Sequence, residues 1–209
     1  MGQILKFPVR AAKFGYKRVP QRVRKGDNPA QLHLFPQSTA QVLQFTPELS
    51  HFEHGLLLDE RGDARAVEVY QKAIAALDCV ADAYCNLGII ESKQGNISKA
   101  FDCFTNSLKH DPRHFEAHYN LGNMYFEVND LRLAQVHYEL ASEVDQGFPN
   151  LYFNLALVLS LNNQFPPAID ALMKYREMVS PEEARNAEEL LRNLQKSVAA
   201  AQNSRTGVS

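Results

Sequence analysis

The sequence lacks several features that would place it in a common functional class. It contains only three cysteines in 209 residues, Cys79, Cys85 and Cys103, and no CxxC pair. An odd and small number of cysteines supplies neither a disulfide framework nor the paired ligands of a structural zinc site. We therefore expect the three thiols to be small buried apolar groups within helices, in a reducing compartment.

Long apolar runs and catalytic motifs are also missing. No stretch approaches the roughly 18 apolar residues that a membrane span requires, and the first ten residues lack the apolar centre of a secretory signal. There is no glycine-rich phosphate loop, nucleophile elbow or paired-carboxylate site. These absences predict a cytoplasmic protein that is not an enzyme, binds no cofactor and does not enter a membrane.

Charge is distributed unevenly along the chain. Residues 1–28 contain eight lysines and arginines against the single acid Asp27, which leaves 14 basic and 23 acidic side chains for residues 29–209. A basic tail thus precedes an acidic body.

Internal repetition is the strongest feature present. Alanines recur at intervals of 34 residues, at Ala66, Ala100, Ala134 and Ala168. A large side chain follows each alanine by four residues, at Tyr70, Phe104, Tyr138 and Leu172. Residues four apart share one face of a helix, so each small and large pair predicts a helix that packs closely on a partner.

A second motif recurs upstream at the same interval. It reads YCNLG at 84–88, HYNLG at 118–122 and YFNLA at 152–156. This combination resembles the tetratricopeptide repeat family, whose pattern matches Tyr84, Leu87, Gly88, Ala100, Phe104 and Pro112. The resemblance covers about residues 47–182 and implies an all-α fold, a right-handed α-solenoid of about four helical hairpins.

The resemblance and the helix caps predict the domain limits. Units lie near 47–80, 81–114, 115–148 and 149–182, with the first unit atypical and one residue shorter in its turn. Thr46 and Pro47 are the predicted start of an array over 46–180, and a capping box of Ser180 and Glu183 opens a capping helix over 181–200. Residues 1–45 and 201–209 are predicted to be flexible or disordered tails.

The first helices of such repeats generally line a concave groove. Transferring the family register predicts an apolar groove with one asparagine at the same place in three units. The predicted groove residues are Phe52, Leu56, Cys85, Asn86, Ile89, Tyr119, Asn120, Asn123, Phe126, Phe153, Asn154 and Leu157. The asparagines resemble those that hold extended peptides in O-linked N-acetylglucosamine transferases; alternatively they satisfy local backbone groups of the repeat.

The charge of the groove predicts which peptides it accepts. The tetratricopeptide domains that clamp acidic C-termini use lysine and arginine, whereas the matching places here include Asp82 and Glu116. The groove should therefore repel acidic tails and favour neutral or basic segments.

The tail carries a short motif of its own. Gln31, Leu32, Leu34 and Phe35, within QLHLF, resemble the docking motif for bacterial sliding clamps. The alternative is an apolar segment that packs the tail onto the first repeat.

The basic residues between 6 and 25 have four interpretations. They contact nucleic-acid phosphates, form a solvated tail, act as an organellar presequence, or lie on the acidic body of their own chain. The spacing of His110, His114 and His118 suggests metal ligands, but Pro112 interrupts the helix between them, so we predict no metal site.

Taken together, the sequence predicts an adaptor that binds a partner peptide or helix in the groove of a repeat array. The alternative is an accessory protein that its N-terminal tail docks to a sliding clamp or to nucleic acid.

Overall fold

The computed structural model describes residues 49–206, and within these residues it contains helices and no strands. The nine helices are α1 (His51–Glu60), α2 (Ala66–Ala75), α3 (Val80–Lys93), α4 (Ile97–His110), α5 (Phe115–Glu127), α6 (Leu131–Val144), α7 (Pro149–Leu161), α8 (Phe165–Met178) and α9 (Ala184–Thr206). The all-α class that the sequence predicts is confirmed. The predicted tail over 1–45, with its QLHLF motif and basic residues, lies outside the described residues.

The first eight helices form four antiparallel hairpins, α1 with α2, α3 with α4, α5 with α6, and α7 with α8. The turn within each hairpin contains a residue of positive φ, at Gly62, Gly95, Asn129 and Asn163. Glycine and asparagine tolerate this left-handed conformation best, which explains their recurrence at intervals of 33 and 34 residues. Successive hairpins then stack, and the chain is a solenoid of repeated units.

The first three hairpins share one especially close contact between their two helices. A methyl group added at Gly55, Gly88 or Gly122 would stand within 2.6 to 2.8 Å of the ring carbons of Tyr70, Phe104 or Tyr138. The aromatic ring therefore lies directly on the backbone of the partner helix. In the fourth hairpin Ala156 and Leu172 occupy the same places, and both are buried in one cluster.

We call the first helices of the hairpins, α1, α3, α5 and α7, the inner layer, and the second helices, α2, α4, α6 and α8, the outer layer. The core lies between the layers as three clusters of buried apolar side chains that follow one another along the array. The largest cluster extends from α5 to α9 and includes Leu191 and Leu194 of α9. The predicted packing of the last helix on the array is thus observed, through its contact with α8.

The array begins later than the sequence predicts. The N-cap of α1 is Ser50, whose hydroxyl accepts a hydrogen bond from the Glu53 backbone N–H at 3.2 Å. The Glu53 carboxylate accepts the Ser50 N–H at 3.1 Å, which completes a capping box. This reciprocal pair explains why the helix starts at His51 rather than after Thr46, as predicted.

The last helix is longer than predicted. The Ser180 and Glu183 capping contacts are present, with the Ser180 N–H donating to the Glu183 carboxylate at 3.1 Å. The helix then continues to Thr206, so the prediction of disorder from residue 201 is wrong for 201–206. No glycine or proline interrupts the chain between Ala184 and Gly207, and alanines 199–201 favour helix. Residues 207–209 lie outside the described part of the chain.

Within residues 49–206 no helix is both long and apolar enough to cross a membrane.

Candidate functional site

The predicted groove residues all lie on the inner layer, but the expectation that they line an open, solvent-exposed groove is wrong. Eleven of the twelve are buried, and Phe126 alone is half-buried. Phe52 and Leu56 belong to the α1 and α2 cluster, Cys85 and Ile89 to the next, and Tyr119, Phe153 and Leu157 to the largest. The apolar residues of this set thus pack between helices, whereas the prediction assigned them to an open trough.

Two inner helices are buried on every side. Ten consecutive residues are buried in α5, from Phe115 to Met124, and ten in α7, from Leu151 to Ser160. Ten residues pass almost three times round a helix, so no face of either segment is open to solvent. Polar side chains in these segments therefore need partners within the protein or from a ligand.

The three asparagines at equivalent places in the repeats, Asn86, Asn120 and Asn154, do not make equivalent contacts. Asn86 donates from Nδ2 to the Tyr70 hydroxyl at 3.2 Å, across the boundary between the first and second hairpins. Asn154 donates from Nδ2 to the Tyr119 hydroxyl at 3.1 Å and to Asn123 Oδ1 at 3.0 Å. Both amide nitrogens serve the contact between neighbouring repeats, through side chains rather than the backbone groups of the alternative interpretation.

The contacts of Asn154 belong to a buried network that joins the third and fourth hairpins. The Tyr138 hydroxyl donates to Asn123 Oδ1 at 2.7 Å, so this one oxygen accepts two hydrogen bonds. Burial raises the pKa of Tyr119 to about 12, and burial also raises the pKa of Tyr138. Both phenols therefore remain protonated near neutral pH, the Tyr138 hydroxyl as a donor and the Tyr119 hydroxyl as the acceptor from Asn154, and the network holds the two repeats in a fixed orientation.

Asn120 differs from the other two asparagines. It is fully buried, and although the Cys85 thiol of α3 lies against it, neither its Oδ1 nor its Nδ2 makes a hydrogen bond of good geometry. It precedes Gly122 by two residues, about 200° round the helix, so it faces away from the close contact with α6. A buried carboxamide with a free donor and a free acceptor matches the pattern of a peptide backbone.

Three of the four other buried polar atoms without a hydrogen-bond partner also lie on α5 and α7, namely Nδ2 of Asn123, Oδ1 of Asn154 and the hydroxyl of Tyr152. The fourth is the hydroxyl of Ser107 on the outer helix α4. Native proteins leave few buried polar atoms unpartnered, so the concentration of such atoms on α5 and α7 marks this stretch as the candidate site.

An acidic cavity of about 430 Å³ lies at the start of α5, and we call it the acidic pocket. Its lining contains four carboxylates, Asp82, Asp111, Glu116 and Asp145, together with Arg113 and His114. The two acids that the sequence analysis singled out, Asp82 and Glu116, therefore lie in one cavity with two further acids, Asp111 and Asp145. Asp111 and Asp145 recur at the 34-residue interval, which is the sequence pattern that would have found them.

His114 orders the wall of the acidic pocket. Its Nδ1 accepts the Ala117 N–H at 3.2 Å and thereby caps α5. Its Nε2 then carries the proton and lies 3.3 Å from Asp82 Oδ1. The ring is buried, so it positions the Asp82 carboxylate at the pocket rather than reaching into solvent.

The three evenly spaced histidines have separate roles. His110 stacks on Tyr84 with ring centroids 5.7 Å apart, and His118 pairs with His137, their Nδ1 atoms 3.0 Å apart. Among the described residues no group of three or more His, Cys, Asp or Glu side chains is arranged to hold a metal ion. The His118 and His137 pair was not predicted, because a separation of 19 residues is unrelated to the repeat interval.

The cysteines are free, and one prediction about them is wrong. Cys85 is buried and Cys103 half-buried, but Cys79 is exposed in the connection between α2 and α3. Leu77 and Cys79 both have positive φ there, so the backbone of this connection cannot continue either helix.

Two family models match the chain, both described as tetratricopeptide repeat, over residues 81–114 and 103–136. Together these ranges extend from the start of α3 into the first half of α6, and they include Asn120 and six of the eight residues that line the acidic pocket.

Solved structures share the fold at low sequence identity. The first tetratricopeptide domain of Spaghetti (RPAP3), bound to the HSP90 peptide SRMEEVD, is 20% identical with a TM-score of 0.52, covering 57% of this chain and 93% of that one. The first such domain of human RPAP3 is 21% identical, covers 59% and 96%, and has a TM-score of 0.50. MamA is 19% identical with a TM-score of 0.53, over 71% of this chain and 96% of that chain.

One curated relative is the BBSome complex member BBS4 of Bos taurus, 24% identical over 128 residues. The match includes 61% of this chain, which spans only 25% of the length of that relative.

Proposed function

Since this chain is a tetratricopeptide repeat protein, we propose that it is a non-enzymatic adaptor that binds an extended segment of a partner protein along its inner layer. The observation that carries this proposal is Asn120, whose buried amide has no partner on either polar atom. An extended backbone laid along α5 and α7 supplies one acceptor and one donor to each such carboxamide. Recognition of this kind depends on the backbone and tolerates many sequences.

The acidic pocket supports a preference for basic segments. A lysine or arginine of the bound segment that enters the pocket meets the carboxylates of Asp82, Asp111 and Asp145. The Spaghetti domain is bound to a peptide, SRMEEVD, that ends in acidic residues. Such a peptide brings negative charge to a wall that is already negative, so we expect this chain to discriminate against it.

A partner can contact Asn120 only after the residues that now cover its side chain have moved. The amide is fully buried, so a partner reaches it only when the residues in front of α5 open. The proposed mechanism is therefore exchange: the partner backbone takes the place of the covering atoms and satisfies polar atoms that the free protein leaves unpartnered.

The test is a selection of twelve-residue peptides from a displayed library against the full-length chain. Selected peptides should be enriched in lysine and arginine, and synthetic copies should bind in fluorescence anisotropy more tightly than SRMEEVD. Asn120→Ala should weaken them at least tenfold, whereas Asn106→Ala, the same change on the outer helix α4, should leave the affinity unchanged. If the two variants bind equally well, the inner layer is not the binding face.

The sliding-clamp motif at Gln31, Leu32, Leu34 and Phe35 and the basic residues of 6–25 lie outside the described residues. Docking to a clamp or to nucleic acid stays a prediction from the sequence.

A further inference from the structure

The outward face of α6 carries a row of exposed aliphatic side chains. Leu133, Val136 and Leu140 are spaced by three and four residues, which places them along one face of the helix. Their exposed fractions are 38%, 42% and 37%. The helix packs on α5 and α7 through its buried residues, which lie on a different face. We call these three residues the α6 row, and within the structure described they have no apolar cover.

The equivalent places on the other outer helices are charged, polar or proline. At the 34-residue interval they hold Arg65, Glu68 and Lys72 at α2, Lys99, Asp102 and Asn106 on α4, and Pro167, Asp170 and Lys174 on α8. On α2 the Lys72 and Glu68 side chains form an exposed ion pair at 2.8 Å, as on a solvated helix face. The α6 row is therefore not required by the hairpin, and its apolar area contributes stability only when another surface covers it.

Charged residues beside the α6 row favour a second copy of this chain in antiparallel orientation. Arg132, Glu139 and Glu143 are exposed and lie along one flank of the row, with the arginine near its start and the glutamates near its end. When two copies of α6 run antiparallel about a twofold axis near Val136, equivalent flanks meet. Arg132 of one copy is then level with the space between the two glutamates of the other. A parallel pair would place this flank against the opposite one and gain no such contact.

The positions of these charges within α6 support the same orientation. Arg132 lies in the first turn and Glu143 in the last, so each charge has the same sign as the dipole at its end of the helix. This placement destabilises an isolated helix. An antiparallel neighbour brings an opposite charge and the opposite dipole end next to each residue, and thereby offsets the cost.

We propose that two copies of this chain dimerise through the α6 row, antiparallel, with Leu133 of one copy on Leu140 of the other and both Val136 side chains at the twofold axis. The row spans about two helical turns, so the interface is small and the dissociation constant should be on the order of 10 to 100 µM. The contact uses only the outer layer and does not rest on the proposed function of the inner layer. A dimer of this kind presents two inner layers to partners.

The test is analytical ultracentrifugation of the full-length chain, from concentrations well below the expected dissociation constant to well above it. The wild type should change from monomer to dimer over this range. Val136→Lys sets two like charges together at the twofold axis and should weaken the dimer at least tenfold. Thr105→Lys, the same new side chain at an exposed position of α4, is the matched control and should leave dimerisation unchanged. Helix content by circular dichroism should be unchanged in both variants, because both positions face solvent.

A charge exchange tests the orientation of the two copies. Arg132→Glu alone, or Glu139→Arg together with Glu143→Arg, sets like charges against each other twice in every dimer and should weaken it about fivefold. All three changes in one chain restore opposite charges, so the dissociation constant should return close to the wild-type value. High salt should reduce the differences between these variants.

A chain that stays monomeric at the highest concentration would overturn the proposal and leave the α6 row to a different partner. A dimer that Val136→Lys does not weaken would overturn it as well, because its interface must then lie elsewhere. Failure of the triple exchange to restore dimerisation would exclude the antiparallel pairing. Asn120→Ala should dimerise like the wild type, so loss of peptide binding and loss of the dimer are separate results.

Discussion

The two layers of this array bury their residues in different ways. Helices α4, α6 and α8 of the outer layer each bury only three residues, such as Ala100, Phe104 and Ser107 in α4. The other residues of each outer helix are half-buried or exposed, and Val136 and Leu140 of α6 are among the exposed ones. In the inner layer α5 and α7 bury ten consecutive residues each, including asparagines and the ionisable side chains of Glu116 and His118.

This difference distinguishes the positions that maintain the fold from those that are available for function. The outer helices supply one narrow stripe that fixes the hairpin, so the remaining positions are free to vary. The inner helices bury polar atoms, each of which needs a partner or costs stability. Substitutions should therefore have large effects where the layers meet, intermediate effects in the inner hydrogen-bond network, and almost none at an inner polar group that has no partner.

The largest effect is expected where the layers touch most closely. Gly88→Ala places a methyl group 2.8 Å from the Phe104 ring, so it should lower the free energy of unfolding by about 2 to 3 kcal/mol. Phe104→Leu should cost about 1 to 2 kcal/mol through the cavity it leaves. The double variant recreates the Ala156 and Leu172 pair of the fourth hairpin, so in urea denaturation it should cost less than the sum of the single changes. Strict additivity would show that the two hairpins are not equivalent.

These contacts are also the part of the fold that the sequence predicts best. The pairs of Gly88 with Phe104 and Gly122 with Tyr138 follow from residue type and one interval, because the geometry of a hairpin repeats with the sequence. The start of the array was missed because Thr46 and Ser50 are both acceptable caps, and only Ser50 has Glu53 three residues later. Exposure of the inner layer could not be predicted, because it depends on what covers a helix, which periodicity does not encode.

A second large effect on stability is expected at acidic pH. It comes from the pair of His118 on α5 and His137 on α6, which connects the two layers. Burial lowers the pKa of His137 to about 4 and also lowers the pKa of His118. The unfolded chain, with ordinary pKa values near 6.5, then binds more protons than the folded one. The free energy of unfolding should have its full value above pH 6.5 and should decrease by about 2 kcal/mol as the pH falls towards 4.

The measurement is urea denaturation at several pH values between 7.5 and 4.5. His137→Gln retains a donor for His118 Nδ1 but cannot titrate, so its stability should depend less on pH than that of the wild type. His51→Gln, at an exposed position, is the control and should follow the wild-type curve. Identical pH dependence in the wild type and the His137 variant would exclude the pair as the cause.

An intermediate effect is expected within the inner network. Asn154→Ala removes the donor to both the Tyr119 hydroxyl and Asn123 Oδ1, and should cost about 1.5 kcal/mol. Tyr138→Phe removes another bond to the same Asn123 oxygen, so the two changes should be coupled in a double-mutant cycle. Because the network joins the third and fourth hairpins, hydrogen exchange should increase first in α7 and α8. An unchanged exchange pattern would mean that packing alone joins these repeats.

The smallest effect on stability is expected at Asn120, although it lies on the same face and belongs to the same residue type. Neither polar atom of its amide has a partner, so Asn120→Ala removes unsatisfied groups and breaks no hydrogen bond. Alanine loses some packing, but it also removes the cost of burying two polar atoms that make no hydrogen bond. Because these two effects oppose each other, the free energy of unfolding should change by no more than about 0.5 kcal/mol. A side chain whose removal weakens peptide binding but not stability is one retained for a ligand. A loss comparable with that of Asn154→Ala in urea denaturation would instead assign Asn120 to the framework of the array.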